Sequence, residues 1–204
     1  MINVHAPASG HHVLWAVLLM PLICLGTVWP GQSATAQNLL ADSVYHAQVT
    51  LVDQDGHKVS FGHYRGRPLL VSMFYTSCPY ACPATIETLR RTREELPPDV
   101  GGKLPVLLVS FDSRHDTPEV LKAAAREHGI DDPHWTLAHA EASDVRTLAA
   151  LLGIRYRELP EGGFNHATVL ILLDREGRIA ARTDRLGAVD PQFVAAIREL
   201  SADP

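Results

Sequence analysis

An α/β fold with a mixed central sheet flanked by helices is predicted by three features of the sequence. Leu69–Tyr75 and Val106–Phe111 are continuous apolar runs of strand length, as expected of strands covered on both faces. Stretches of ten to thirteen residues with helical spacing or helix-start signals alternate with these runs, which makes the central strands parallel. A further run, Thr168–Leu173, turns through Asp174-Arg175-Glu176-Gly177 into Ile179–Thr183 and adds an antiparallel hairpin.

Taken in chain order, Tyr45–Val52 alternates loosely and ends in Asp53-Gln54-Asp55-Gly56, a turn signal that predicts a first hairpin. Pro68 leads into the strand Leu69–Tyr75. Ala84–Leu96 sets Ile86 and Leu89 near helical spacing, and Pro97-Pro98 stops that helix. After Val106–Phe111, Thr117 supplies a cap, Pro118 a first helical residue and Glu119 an early acid for a helix that runs to His128 and stops at Gly129. Trp135–Ala138 reads as a short third strand, Ser143 as the cap of a helix ending at Leu152-Gly153, and Asp190-Pro191 as the start of the last helix. A parallel β-α-β-α core closing in β-β-α is the thioredoxin-like arrangement.

Of the 204 residues, 46% are hydrophobic and 20% charged, which suits one ordinary domain with a short appendage and leaves no room for two full domains. The net charge of −5 argues against a broad phosphate-binding surface, so no nucleic acid is expected as a partner. All 18 Lys and Arg and all 23 Asp and Glu lie after residue 37. Val13–Val28 is an uncharged stretch of 16 residues, short of the roughly 20 a spanning helix needs and interrupted by Pro21 and Gly26. Ser33-Ala34-Thr35-Ala36 follows with the small-x-small pattern of a signal-peptidase site.

Residues 1–36 therefore read as a secretory signal peptide cleaved after Ala36, or as an uncleaved membrane anchor, with residues 37–204 as the mature domain. Against both, His5, His11 and His12 precede the apolar stretch without any Lys or Arg. Ile23 before Cys24 disfavours a lipoprotein anchor, and the missing arginines disfavour a mitochondrial transit peptide. Arg outnumbers Lys 15 to 3 in the remainder, a weak sign of a GC-rich bacterial genome. The expected compartment is the periplasm, where disulfides persist.

The mature domain has two cysteines, Cys78 and Cys82, in Thr76-Ser77-Cys78-Pro79-Tyr80-Ala81-Cys82-Pro83, between a buried strand and a helix. On a helical turn, positions four apart share a face with Cβ atoms about 5–6 Å apart. A helix N-terminus stabilises negative charge and should acidify both thiols. A structural disulfide would close a loop of only about five residues and restrain the unfolded chain little. A redox dithiol and a metal clasp are the stronger readings.

Of the eight histidines after Ala36, His46, His57, His63, His115, His128, His134 and His139 read as surface or satisfied core residues. His166 differs. It follows a loop rich in turn formers, Leu159-Pro160-Glu161-Gly162-Gly163, and stands just before the strand Thr168–Leu173. In a thioredoxin-like fold the loop entering that strand lies against the active-site cysteines, and thiol–disulfide enzymes usually carry a cis-proline there. Here Asn165-His166-Ala167-Thr168 holds no proline, so an imidazole becomes a third ligand. Two thiolates and an imidazole suit Cu(I) or Zn(II). A closed structural zinc site needs four ligands and no further Cys is available, while three ligands leave a position through which a metal can be handed on.

These residues resemble the Sco/SenC family of copper-binding assembly proteins, over about residues 45 to 200. The resemblance is carried by Asp53-Gln54-Asp55-Gly56, Gly66-Arg67-Pro68, the CPxxCP element from Cys78 to Pro83, Ser110-Phe111-Asp112, Asp116-Thr117-Pro118-Glu119-Val120-Leu121, and His166. It implies a thioredoxin-like metallochaperone in the periplasm, secreted or tethered to the inner membrane. Cys78, Cys82 and His166 would hold copper, as Cu(I) or Cu(II). The client it implies is cytochrome c oxidase subunit II or a similar copper-accepting protein, with another periplasmic copper chaperone or a thiol reductant as further partners. One departure is Tyr80, where the family commonly has an acid. Asp112 and Asp116 match family positions, though helix capping accounts for Asp116 without chemistry.

Two rivals stand beside the metallochaperone. A thiol–disulfide oxidoreductase would use Cys78 as nucleophile to reduce a client's cysteines, so that Cys78 and Cys82 are redox-active. A peroxide-reducing enzyme of the same fold would need a peroxide-binding Thr or Ser and an Arg near the cysteine; Thr76 and Ser77 are there, but the sequence places no Arg.

Overall fold

A computed structural model describes residues 41–202, and the export segment expected over residues 1–36 lies outside them. The chain runs through β1 (Thr50–Asp53), β2 (Lys58–Ser60), β3 (Leu69–Phe74), α1 (Ala81–Glu94), α2 (Pro98–Gly101), β4 (Val106–Ser110) and α3 (Pro118–Glu127). It continues through β5 (Trp135–His139), α4 (Ala142–Leu151), β6 (Tyr156–Glu158), β7 (Phe164–His166), β8 (Leu170–Leu173), β9 (Ile179–Thr183) and α5 (Pro191–Ala202). Among the described residues no helix is long and apolar enough to cross a membrane.

The sheet follows from the apolar runs. Every residue of β3, β4 and β8 is buried, so these strands form its centre. The strand order is β2-β1-β5-β4-β3-β8-β9, which is the thioredoxin-like order expected for this element sequence with an added N-terminal hairpin. Only β3–β4 and β4–β5 pair in parallel; β1–β2, β1–β5, β3–β8 and β8–β9 are antiparallel. The sheet is therefore mixed, and less parallel than the alternation alone implies. Helix α3 packs on β5 and β1, and α5 on β9. In α3, Leu121, Ala124 and Ala125 are buried at spacings of three and four, the apolar stripe of a surface helix.

Several boundaries differ from the sequence reading. The first strand begins at Thr50, because Val44–His46 winds into a 3-10 turn capped by Ser43. Helix α1 begins at Ala81, not Ala84: Pro83 lies in the first turn, where its missing N–H has no intrahelical partner to lose. Pro97-Pro98 does stop α1, but Pro98 also opens the short α2. Helix α4 starts at Ala142 with Glu141 in the cap position, so Ser143 is not its cap; the Ser143 carbonyl instead accepts from Thr147 Oγ1 at 3.0 Å. The hairpin β6–β7 is absent from the sequence reading, and His166 ends β7 where a loop was expected.

Candidate metal centre

The cysteines sit where β3 gives way to α1. Beyond Phe74 the chain turns back, and Cys78 N–H donates to the Tyr75 carbonyl at 3.2 Å. Tyr80 occupies the N-cap without a side-chain bond, and Cys82 is the second helical residue. The pair thus straddles the start of α1, where a single continuous helical turn was expected. This arrangement puts Cys78 in front of the helix, with the N–H groups of Tyr80, Ala81 and Cys82 aimed at its sulfur. Cys78 is 8% exposed and Cys82 only 3%.

The third element is the β6–β7 hairpin. Tyr156 pairs with His166 across it, and the imidazole packs on Phe111 at 5.0 Å and edge-on to Tyr75 at 5.9 Å between ring centroids. A nitrogen of His166 and the sulfurs of Cys78 and Cys82 come within 4.8 Å of one another. The three residues chosen from the sequence are therefore brought together by three separate elements.

Electrostatics distinguishes the two thiols. Burial pushes the Cys78 thiol up, but the backbone donors of Cys82, Tyr80 and Ala81, with the Cys82 thiol, outweigh it and bring Cys78 below the ordinary thiol value. Burial drives Cys82 well above that value despite the Tyr75 N–H, with the neighbouring Cys78 and Asp116 charges adding to the rise. His166 is lowered by burial, against a smaller opposing effect of the Ala167 carbonyl, so it is neutral at pH 7 with a lone pair available. The acidification expected of both thiols thus holds only for Cys78.

Asp116 corrects the sequence reading. It does not cap α3; Thr117 does, its hydroxyl accepting from Val120 N–H at 3.4 Å. The buried Asp116 carboxylate instead accepts from Thr76 N–H at 2.9 Å and from the Thr76 and Ser110 hydroxyls. Sequence spacing could not reveal this, since the donors come from two other segments. Asp112 is bonded locally, its carboxylate accepting from the His115 backbone N–H at 3.2 Å and lying 2.8 Å from the His115 Nδ1.

Two depressions open beside the site. One, about 370 Å³, runs from Cys78 and Pro79 to Val120 and His128. The other, about 610 Å³, lies by His166 between Arg155, Arg157 and Asn165. Among the described residues no arginine lines the depression at Cys78, whereas Arg155 and Arg157 line the one at His166. Asp53, Asp55 and His57 also cluster, but Asp53 accepts from the N–H groups of Asp55 and His57 and Asp55 pairs with Lys122, the bonding of a closed turn.

The SCO1/SenC family profile matches residues 38–201. A Stutzerimonas stutzeri protein named for copper binding is 35% identical over 75 residues, which is 37% of this chain and only 37% of that protein's length. An Aquifex aeolicus crystal structure, named for electron transfer, aligns with a TM-score of 0.68 at 28% identity, covering 76% of this chain and 90% of that one. ScoI of Bradyrhizobium japonicum, solved with copper bound, aligns with a TM-score of 0.62 at 22% identity, covering 76% of this chain and 98% of that one.

Proposed function

The chain belongs to the SCO1/SenC family, and from that premise we propose that it is a periplasmic copper metallochaperone. The observation that carries this reading is the convergence of two sulfurs and one imidazole nitrogen within 4.8 Å. Soft thiolates with an imidazole favour copper over hard cations, and a three-donor set leaves a position for an incoming ligand. Cys78, already the more acidic thiol, binds as thiolate. Cys82 gives up its proton to the arriving cation, since a metal replaces the proton that burial otherwise retains. His166 enters as neutral imidazole.

Copper then leaves by ligand exchange: the cysteines of cytochrome c oxidase subunit II, or of a similar copper-accepting protein, displace the ligands one at a time. Another periplasmic copper chaperone loads the site, and a thiol reductant keeps Cys78 and Cys82 reduced. Titrating the reduced protein with Cu(I) tests this reading. One equivalent should bind, and His166→Ala should bind more weakly by about 10–100-fold, the size of effect seen when a metal site loses support. An equal affinity refutes the third ligand. Stoichiometric zinc without sulfur-to-Cu(II) absorption refutes copper.

A second reading is favoured by the inequality of the two thiols. In a thiol–disulfide oxidoreductase, the Cys78 thiolate attacks a client disulfide, one client sulfur leaves as thiolate, and Cys82 resolves the mixed disulfide. The client gains two electrons, Cys78–Cys82 becomes oxidised, and a thiol reductant restores it. A Cys82→Ser variant that traps a mixed disulfide supports this route.

A further inference from the structure

The two faces of the β6–β7 ribbon carry different chemistry. Its register sets Tyr156 opposite His166 and Glu158 opposite Phe164 on one face, and Arg157 opposite Asn165 on the other. The first face packs inward: Tyr156 stacks on Phe111 at 4.7 Å, and Phe164 and His166 lie 6.0 and 5.0 Å from the same ring. Arg155 extends the second face, since its carbonyl accepts from Ala167 N–H at 2.9 Å and it stands two residues before Arg157. Arg155, Arg157 and Asn165 are exposed and line the depression of about 610 Å³ that His166 also lines.

Neither arginine has an ion pair among the described residues. Glu158 is committed to Arg114, and Glu161 in the hairpin turn reaches neither arginine. Two unpaired like charges on one face of so short a ribbon repel each other, so fold stability does not account for them. The molecule as a whole has the opposite sign, with a net charge of −5, so this face reverses the field locally beside the imidazole arm of the site. Water and salt screen an exposed guanidinium pair and weaken its hold on a single small anion. Several carboxylates carried by one partner engage both arginines at once, and the planar guanidinium suits each of them.

We infer that the Arg155–Arg157 face of the hairpin is a docking surface for an acidic protein partner that exchanges copper at His166. The exchange rests on the copper reading; the docking rests on the ribbon geometry and its charge alone. Copper stays Cu(I) in the exchange. Each acceptor thiolate forms a Cu–S bond as a bond to His166, Cys78 or Cys82 breaks, and the protons lost by the acceptor thiols pass to the freed cysteines or to water. Steering by the two arginines acts on the rate of encounter and leaves the three copper ligands as they are.

The test follows Cu(I) transfer from the loaded protein to three synthetic peptides that share a two-cysteine core and differ in flanking blocks of Glu, Gln or Lys. At low salt the Glu-flanked peptide should take copper about tenfold faster than the Lys-flanked one, and high salt should erase the difference. A net charge of −5 acting alone dictates the reverse order, so the direction is diagnostic. Arg155→Gln combined with Arg157→Gln should abolish or invert the preference while one equivalent of Cu(I) binds with the parent affinity. In the copper-free protein, the Glu-flanked peptide should move the amide resonances of Arg155–Arg157 and Asn165–Ala167, and the Lys-flanked peptide should not. Faster transfer to the Lys-flanked peptide, or a Glu preference that survives in the double variant, overturns the inference. So do the same resonance shifts with inorganic phosphate at equal concentration, which would make the face a small-anion site. If the parent takes up no copper, the copper reading falls, and the copper-free resonances still decide the docking face.

Discussion

The Thr76 backbone N–H donates to the Asp116 carboxylate at 2.9 Å across 40 residues of sequence. The hydroxyls of Thr76 and Ser110 donate to the same group, so one buried carboxylate ties the cysteine turn, the end of β4 and the approach to α3 together. Asp116→Ala strands three donors. Hydrogen bonds to a charged acceptor contribute about 1.5–3 kcal/mol each, and partial rehydration leaves an expected loss of roughly 2–4 kcal/mol in urea unfolding. Asp116→Asn, which keeps an acceptor oxygen, should lose less. An unchanged urea midpoint for Asp116→Ala would mean the tie does not stabilise the fold.

The inequality of the thiols sets a pH dependence of the reduced, metal-free protein. Cys82 is raised above the ordinary value of 9.0, so its contribution to stability is intact below that pH and is lost as pH rises through it, because the unfolded thiol ionises and the buried one resists. Cys78 is lowered, so its contribution is present above the ordinary value and is lost as pH falls through its folded value. Thermal melts should therefore decline on the alkaline side, and Cys82→Ser should reduce that decline, the raised Tyr45 and Tyr64 phenols supplying the rest. At neutral pH iodoacetamide should label Cys78 first, as mass spectrometry of early time points would reveal; equal labelling of both would refute the inequality.

The central sheet and the three clustered side chains were legible in the sequence because each has a local signal. β3, β4 and β8 are continuous apolar runs, and Cys78, Cys82 and His166 flank them. What escaped depends on partners distant in sequence. β6 and β7 are three residues each with no buried position, too short for a period of two to register, and they pair only because the Leu159–Gly163 turn closes them. The role of Asp116 has no local trace, since the neighbouring Thr117 satisfies the helix cap. Tyr75 reads as the last apolar residue of a strand, and its ring meets Phe164 and His166 only when the hairpin folds over it.

Tyr80 stands 84% exposed two residues after Cys78. With so little contact, Tyr80→Asp should leave stability within about 0.5 kcal/mol of the parent. A carboxylate there adds charge beside a metal-bearing thiolate pair, and exposed charge pairs contribute about 0.2–1 kcal/mol, so Cu(I) should bind up to about fivefold more tightly. Competition against a chromophoric Cu(I) chelator measures this directly. Weaker binding would mean that Tyr80 acts by shielding the site and not by withholding charge.

Away from the site, Arg93 presents the one strongly buried cation of the ion pairs among the described residues: its side chain is 9% exposed and its Nη1 lies 2.7 Å from Asp132 Oδ2. Its Nε donates to the Gly101 carbonyl at 2.7 Å and its guanidinium lies 5.7 Å from the Trp135 ring centroid, so α1, α2 and β5 all meet on it. Burial tends to raise the Asp132 carboxyl, but the His134 N–H and Arg93 outweigh it and hold the group below its ordinary value. A depressed carboxyl contributes stability that is present above its unfolded value and is lost as pH falls through its folded value. Asp132→Asn leaves Arg93 buried without its counter-charge, and should cost roughly 1–3 kcal/mol at pH 7, discounted from the cost of breaking a fully buried pair because Asp132 is a third exposed. The difference between Asp132→Asn and the parent should shrink as pH falls below about 4, where the unfolded carboxyl protonates. Urea unfolding at pH 7 and pH 3 checks the sign: a difference that grows in acid would mean that the pair opposes folding and that Arg93 is stabilised by its Gly101 and Trp135 contacts instead.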